Sequence, residues 1–256
     1  MLNDKRPLVL MAGGVTLSAD QRMWVRGSGN MSLLPDFYMI DIYNLSDDDL
    51  SAVREAKTIT AYGADNSMIC YGEIDDIFTR LEGVNTVTSI AITDGKSFWS
   101  AKVNQTVGGG AGFRDALNVI MTGAAVGPWM ASETRLPRGQ TFSGRLADSV
   151  SMLAKSANAR AFLTKNVVYV VERGRASDII TIEDSDITGE TSYADGVVML
   201  RTKVKGYPIG VIASRNGKKY RLVSQKISAD NFKGDWRSDV LLVDEDQVDV
   251  FGMEGG

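Results

Sequence analysis

A period of two in apolar and polar positions dominates both ends of the chain, and a period near 3.6 governs most of its middle. Phe37-Tyr-Met-Ile-Asp-Ile-Tyr43 is dense in aromatic and β-branched residues and predicts a strand with Asp41 on its exposed side. Ser46-Asp-Asp-Asp49 offers an N-cap with acidic residues in the first turn, and Leu50, Val53 and Ala56 give a short helix its apolar face. Residues 57–62 and 67–71 flank Gly63-Ala-Asp-Asn66 as an antiparallel hairpin. In Thr86-Val-Thr-Ser-Ile-Ala-Ile-Thr93 neither alternating face is cleanly polar, which predicts a strand covered on both sides.

Gly108-Gly-Gly-Ala-Gly112 marks a shift in composition and predicts a boundary or hinge. Beyond it, Phe113, Leu117, Ile120 and Met121 line one helix, and Phe142, Leu146, Val150, Leu153 and Ala157 line a second with Ser143 as its cap. Residues 159–163 and 166–171 pair around Thr164-Lys-Asn166. After a turn-rich stretch at 183–190, strands are predicted at 197–204, 209–213, 219–227 and 240–243, with Asn216-Gly217 as a hairpin turn. The chain is therefore α+β and mainly β, in three parts: a β-barrel domain over 1–107, an α+β module over 108–189, and a second β-barrel or meander over 190–256. No repeat of 20 to 50 residues is present, which excludes a solenoid or propeller.

The 256 residues are 44% hydrophobic and 23% charged, which is ordinary for a globular protein. No apolar run approaches the roughly 18 residues of a membrane-crossing helix, so no membrane span is expected. The apolar run after Lys5-Arg6 is too short for the core of a signal peptide. A net charge of -4 argues against a protein whose work is gripping nucleic acid, since that affinity comes from clustered Lys and Arg displacing phosphate counterions. Cys70 stands alone and cannot form an internal disulfide, which fits assembly in a reducing cytoplasm.

The absence of histidine removes the usual Ser-His-Asp and Cys-His arrangements and His-ligated zinc. Cys70 then reads as a small buried hydrophobe. Asp94-Gly95-Lys96-Ser97 ends like a phosphate-binding loop, but Ile90 stands where that motif needs its first glycine. Asp115 in the first turn after the glycine run would repel phosphate. Glu73, Asp75, Asp76, Asp184 and Asp186 offer pairs for glycosidase-type acid and base work, against the simpler reading of solvated turns. Asp184-Ser-Asp186 lacks the rest of a calcium loop. Arg201, Lys203 and Lys205 alternate as one basic strand face, either solvated or a contact surface. Trp24, Trp129 and Trp236 are expected near loops or turns, as lids on the core or as interface anchors.

One stretch carries more. Tyr71-Gly-Glu-Ile74 ends a strand, Asn85-Thr-Val-Thr-Ser-Ile-Ala-Ile-Thr-Asp94-Gly95 forms a longer alternating strand, and a glycine-rich loop leads into the helix Phe113-Arg-Asp-Ala-Leu-Asn-Val-Ile-Met121. This order resembles the baseplate hub proteins of phage tails, the late-control protein D-like family. The helix-then-hairpin at 146–171 and Lys219-Tyr-Arg-Leu-Val223 extend the resemblance. It implies two tube-protein-like β-barrel domains bridged by the α+β module. It also implies a homotrimeric ring that adapts a sixfold tail tube to a threefold spike and surrounds the DNA channel. The partners implied are the tube protein, a separate spike protein and other baseplate proteins, in a virion tail assembled in the host bacterial cytoplasm. No catalytic residue, metal or cofactor is expected. A cell-wall hydrolase using Asp and Glu pairs and a carbohydrate-binding β-module are the alternatives.

Overall fold

The structure, a computed structural model, describes residues 6–17, 20–172, 174–176, 178–215 and 217–247. Strands β1 (Val9–Ala12), β2 (Val15–Leu17), β3 (Met23–Asn30) and β4 (Asp36–Tyr43) precede helix α1 (Asp47–Glu55), and β5 (Thr58–Tyr62), β6 (Met68–Glu82) and β7 (Asn85–Asp94) follow it. The middle of the chain holds α2 (Lys96–Ser100), β8 (Lys102–Val107), α3 (Phe113–Ile120), β9 (Ala125–Met130), β10 (Gln140–Arg145), α4 (Leu146–Ser156), β11 (Ala159–Thr164) and β12 (Val167–Glu172). The last part holds β13 (Ile179–Thr181), β14 (Ile187–Ala194), β15 (Val197–Thr202), β16 (Ile212–Arg215), β17 (Lys218–Asp230) and β18 (Trp236–Asp244). The chain is thus α+β and mainly β.

Among the described residues thirteen of these strands share one sheet, in the order β14-β15-β18-β17-β3-β4-β7-β6-β5-β1-β2, with β16 beside the first part of β17 on the flank it shares with β3, and β13 beside β16. The path is open, and among the described residues no strand closes it into a barrel within one chain. Two apolar clusters lie under the sheet. One gathers Leu10, Val25, Ile40, Ile59 and Ile90 from the first strands, the other Leu200, Ala213, Leu222, Val240 and Leu242 from the last. Burying a side chain of this size contributes roughly 1.5–3 kcal/mol, so each half holds itself flat against its own core.

A third cluster belongs to the helices. Phe113, Ala116, Leu117 and Ile120 of α3 pack with Leu146, Val150 and Leu153 of α4, and with Phe98, Val103 and Val107 from before the glycine run. That run is tied down: the Gly110 amide donates to the Leu136 carbonyl at 2.8 Å, and the Leu136 amide returns to Ala111 at 2.9 Å. A Cβ on Gly109 would stand 3.1 Å from the Arg138 backbone, so close chain approach, more than hinge motion, explains a glycine there.

Several expectations hold. The Ser46 hydroxyl accepts the Asp49 amide as the N-cap of α1, and Val53 is buried. Strand β7 is buried on both faces from Val87 to Ile90. Lys165 and Asn166 both take positive φ in the β11–β12 turn. Strands β16 and β17 pair as the predicted hairpin; Gly217 has φ 75°, while Asn216 lies outside the described residues. Trp24, Trp129 and Trp236 lie at or next to the ends of β3, β9 and β18, beside loops or turns as expected. Others are corrected. Phe142 and Ser143 belong to β10, paired with β8, and α4 starts at Leu146 without a side-chain cap, because Gly144 at φ 101° breaks any helical run there.

Candidate assembly interface

Eight of the strands form a layer whose two halves repeat. Bulges in β6, between Ile74 and Asp76, and in β17, between Leu222 and Ser224, mark matching positions. Read across the ladder from each bulge, Asp76, Ala91, Met39 and Arg26 form one row and Ser224, Leu241, Met199 and Thr191 the other. Thus β6-β7-β4-β3 recurs as β17-β18-β15-β14, and the order along the chain agrees, with the hairpins β3–β4 and β6–β7 answered by β14–β15 and β17–β18. Strand β5 flanks the first part of β6 as β16 flanks the first part of β17.

The repeat has a consequence at the edges. The second part of β17, Ser224 to Asp230, is covered by β3. Its counterpart, the stretch 75–82 of β6, has β7 on one side and no strand on the other, and β14, the counterpart of β3, is paired only with β15 among the described residues. Both free edges carry exposed apolar side chains: Phe78, Leu81 and, in the adjoining turn, Val84 on one, and Tyr193 on the other. Long bare edges of this kind are templates for another chain.

One face of the layer covers the two cores. The other, bare of a comparable core, is charged apart from a small apolar patch of Val197, Val223, Leu241 and Val243. Asp41 alternates onto this bare face as expected but is only 1% exposed, because Arg26 at 3.0 Å, Arg80 at 3.7 Å and the Ser89 hydroxyl close over it. In the second half Asp239 takes Arg201 at 3.0 Å and Arg237 at 3.7 Å. A cleft of about 570 Å³ crosses the middle of the face, between Trp24, Phe37, Met39, Lys226 and Arg237.

The acids proposed for hydrolysis do not converge on that cleft as a pair. Glu73 accepts the Ser97 amide at 2.7 Å and the Ser97 hydroxyl at 2.5 Å, tying down α2. Asp75 binds Lys96 at 2.5 Å, and Asp76 accepts the Ile77 amide. Asp184 and Asp186 reach Arg215 and Lys205, each at 3.9 Å. No cluster of three or more metal-ligating side chains occurs among the described residues. Of the predicted basic stripe only Arg201 lies on a strand, because β15 ends at Thr202; Lys203 and Lys205 follow in the loop. Burial pushes the Cys70 thiol up to about 12, which leaves it unreactive.

Two acids outside those proposed for hydrolysis are perturbed by burial. Asp36 accepts the Asn30 amide and side chain, yet burial, with Asp94's charge adding, pushes it up to about 7. Asp94, pushed up to about 6 by burial, accepts the amides of Lys165 and, at 2.7 Å, Asn166. Asp94 therefore pins the β11–β12 turn of the helical module to the end of β7. Nothing in the local sequence signals this, since the partner lies some 70 positions away.

No protein-family model and no curated protein sequence matches the chain. Solved structures do. The prophage MuSo2 43 kDa tail protein from Shewanella oneidensis superposes with a TM-score of 0.67 at 10% identity, over 95% of this chain and 99% of that one. A tail protein from Neisseria meningitidis gives 0.65 at 9% identity, over 93% and 96%. The Escherichia coli c3393 protein, a type VI secretion component described as structurally similar to the T4 phage tail proteins gp27 and gp5, gives 0.63 at 9% identity, over 92% and 76%. At these identities the likeness is one of fold, and the fold is one that phage tail proteins use.

Proposed function

We propose that the protein is a structural hub of a phage tail or related injection particle. Three copies form a ring around the DNA channel that adapts a sixfold tail tube to a threefold spike. The observation that carries this reading is the repeat in the layer with its two bare edges. Within one chain β3 completes β17; between chains β14, its counterpart, completes the free part of β6 by the same junction. Repeating one head-to-tail joint around an axis closes a ring and leaves no edge. Strands β3, β4, β6 and β7 supply one tube-like, barrel-forming half per copy and β14, β15, β17 and β18 the other, six in the ring, and the helical module bridges them.

Three copies bring 24 strands, and at about 4.8 Å per strand the layer closes at a diameter of about 37 Å, or about 27 Å clear of side chains. The elements packed on the core face do not fit inside that circle, so the bare face turns inward. Two copies would leave only about 14 Å by the same reckoning, too narrow for a duplex. Tail fold in the solved neighbours supports the tail setting, and with it tube, spike and other baseplate proteins as partners in a particle assembled in the bacterial cytoplasm.

Light scattering on the purified chain tests the ring: a particle of three times 27.7 kDa is expected, and a monodisperse monomer at high concentration contradicts it. The scaffold reading also assigns no enzymatic activity. Zymography on peptidoglycan should show no clearing from the wild type or from alanine variants of Glu73, Asp75 and Asp76. Clearing that one of these variants abolishes would establish the hydrolase instead.

A further inference from the structure

The bare face of the layer holds its arginines in an unusual way. Each half places one aspartate between two arginines: Asp41 between Arg26 and Arg80, which also takes Glu82 at 3.6 Å, and Asp239 between Arg201 and Arg237, which also takes Asp235 at 3.4 Å. The two clusters sit on the same ladder row, where Asp41 and Ser89 of one half correspond to Arg201 and Asp239 of the other. An arginine fork is well shaped for phosphate oxygens, and four of them on one open face would make a strong phosphate-binding patch. Here their donors are turned to carboxylates. Arg26 to Asp41 and Arg201 to Asp239 are both at 3.0 Å, and the Arg80 guanidinium also donates to the Ser89 hydroxyl, which in turn donates to Asp41.

We propose that Asp41 and Asp239 are neutralising residues that let this face pass a polyanion, double-stranded DNA, without holding it. The proposal rests on the ring reading for the direction of the face, and in a ring of three the two clusters per chain recur six times around the lumen. The arginines brace the neighbouring strands, and the aspartates cancel the grip those arginines would otherwise have on a phosphate backbone. Surface neutrality elsewhere does not achieve this, because phosphate contacts depend on the donors within a few ångströms of the duplex.

The test is fluorescence anisotropy of a labelled linear duplex of mixed sequence with the full-length chain. Wild type is compared with Asp41→Asn/Asp239→Asn and with Asp47→Asn/Asp48→Asn, which changes net charge equally on the exposed start of α1. Wild type and the α1 control should show no saturable binding at about 50 mM salt, a low-screening condition. The lining variant should bind, and with Arg26 and Arg201 freed while Arg80 keeps Glu82 and Arg237 keeps Asp235, its affinity should fall about tenfold by about 200 mM salt. Asp239→Asn alone, with Asp239 at the more open cluster, gives a smaller gain and decides the matter if the double variant does not fold. A lining variant no better than the α1 control, or a wild type that already binds as tightly, overturns the proposal. The face is open in a single copy, so light scattering on the same samples separates the two claims. A monomer whose variant gains binding breaks the ring alone, and a trimer whose variant gains nothing breaks the lining alone.

Discussion

Asp36 and Asp94 sit where the helical module meets the sheet, and both keep their protons to higher pH folded than unfolded. The folded chain therefore binds more protons between about pH 4 and pH 7, and the stability they contribute is full below the ordinary carboxylate range and lost as pH rises through about 6 and 7. Melting temperature should fall on going from pH 5 to pH 8, at roughly 2–4 °C per kcal/mol for a chain of this size. Asp36→Asn, which keeps an acceptor for the Asn30 amide, should melt higher than wild type at pH 8 and show a flatter profile; an unchanged profile would refute the assignment. Arg221 gives a second residue-scale prediction. It is 2% exposed and donates to Glu245 at 2.8 Å, to the Gly210 carbonyl at 2.6 Å and to the Arg175 carbonyl at 2.8 Å. Arg221→Met should cost about 3 kcal/mol in urea unfolding by stranding Glu245, and adding Glu245→Leu should recover much of it.

At the scale of elements, the strands with an apolar inner face were legible: β4 follows from its aromatic and β-branched residues, β7 from a run with no cleanly polar face, and the Ser46 cap places α1. Strand β14 was not, and it is the element on which the proposed interface depends. Ile187-Thr-Gly-Glu-Thr-Ser-Tyr-Ala194 has no alternating apolar face because most of it is exposed in one copy, so it reads as turn. The repeat escaped for a related reason. Counterparts share a position in the ladder and an in-or-out direction, while their side chains differ, as Asp41 against Arg201 and Ser89 against Asp239 show. The buried carboxylates were hidden because long-range packing sets their environment. Copying the β3–β17 register, where Arg26 faces Ser228, onto the free edges sets Thr191 opposite Arg80 of the next copy. Opposed like charges destabilise a ladder by a few tenths to about 1 kcal/mol per pair, repeated at each joint. Thr191→Lys should thus shift the oligomer toward monomer in sedimentation at low salt, Thr191→Glu should not, and equal effects of the two would reject this register.

For the whole molecule, fold class and the absence of a histidine-based site followed from the chain as written, whereas the single sheet running through both halves did not. The pairing of β3 with β17 joins segments some 200 positions apart, and no local pattern announces it. That pairing turns two small sheets into one layer with matched ends, and the account of function stands on those ends meeting. Directly opposed residues in an antiparallel ladder lie about 4.5–5.5 Å apart at Cα, within the span of a disulfide. A Thr191→Cys/Arg80→Cys variant, oxidised and run on a non-reducing denaturing gel, should give covalent trimers, with Cys70 buried and out of reach. A gel showing only monomer, or cross-linking no stronger than that of cysteines at unrelated exposed positions, would contradict the ring.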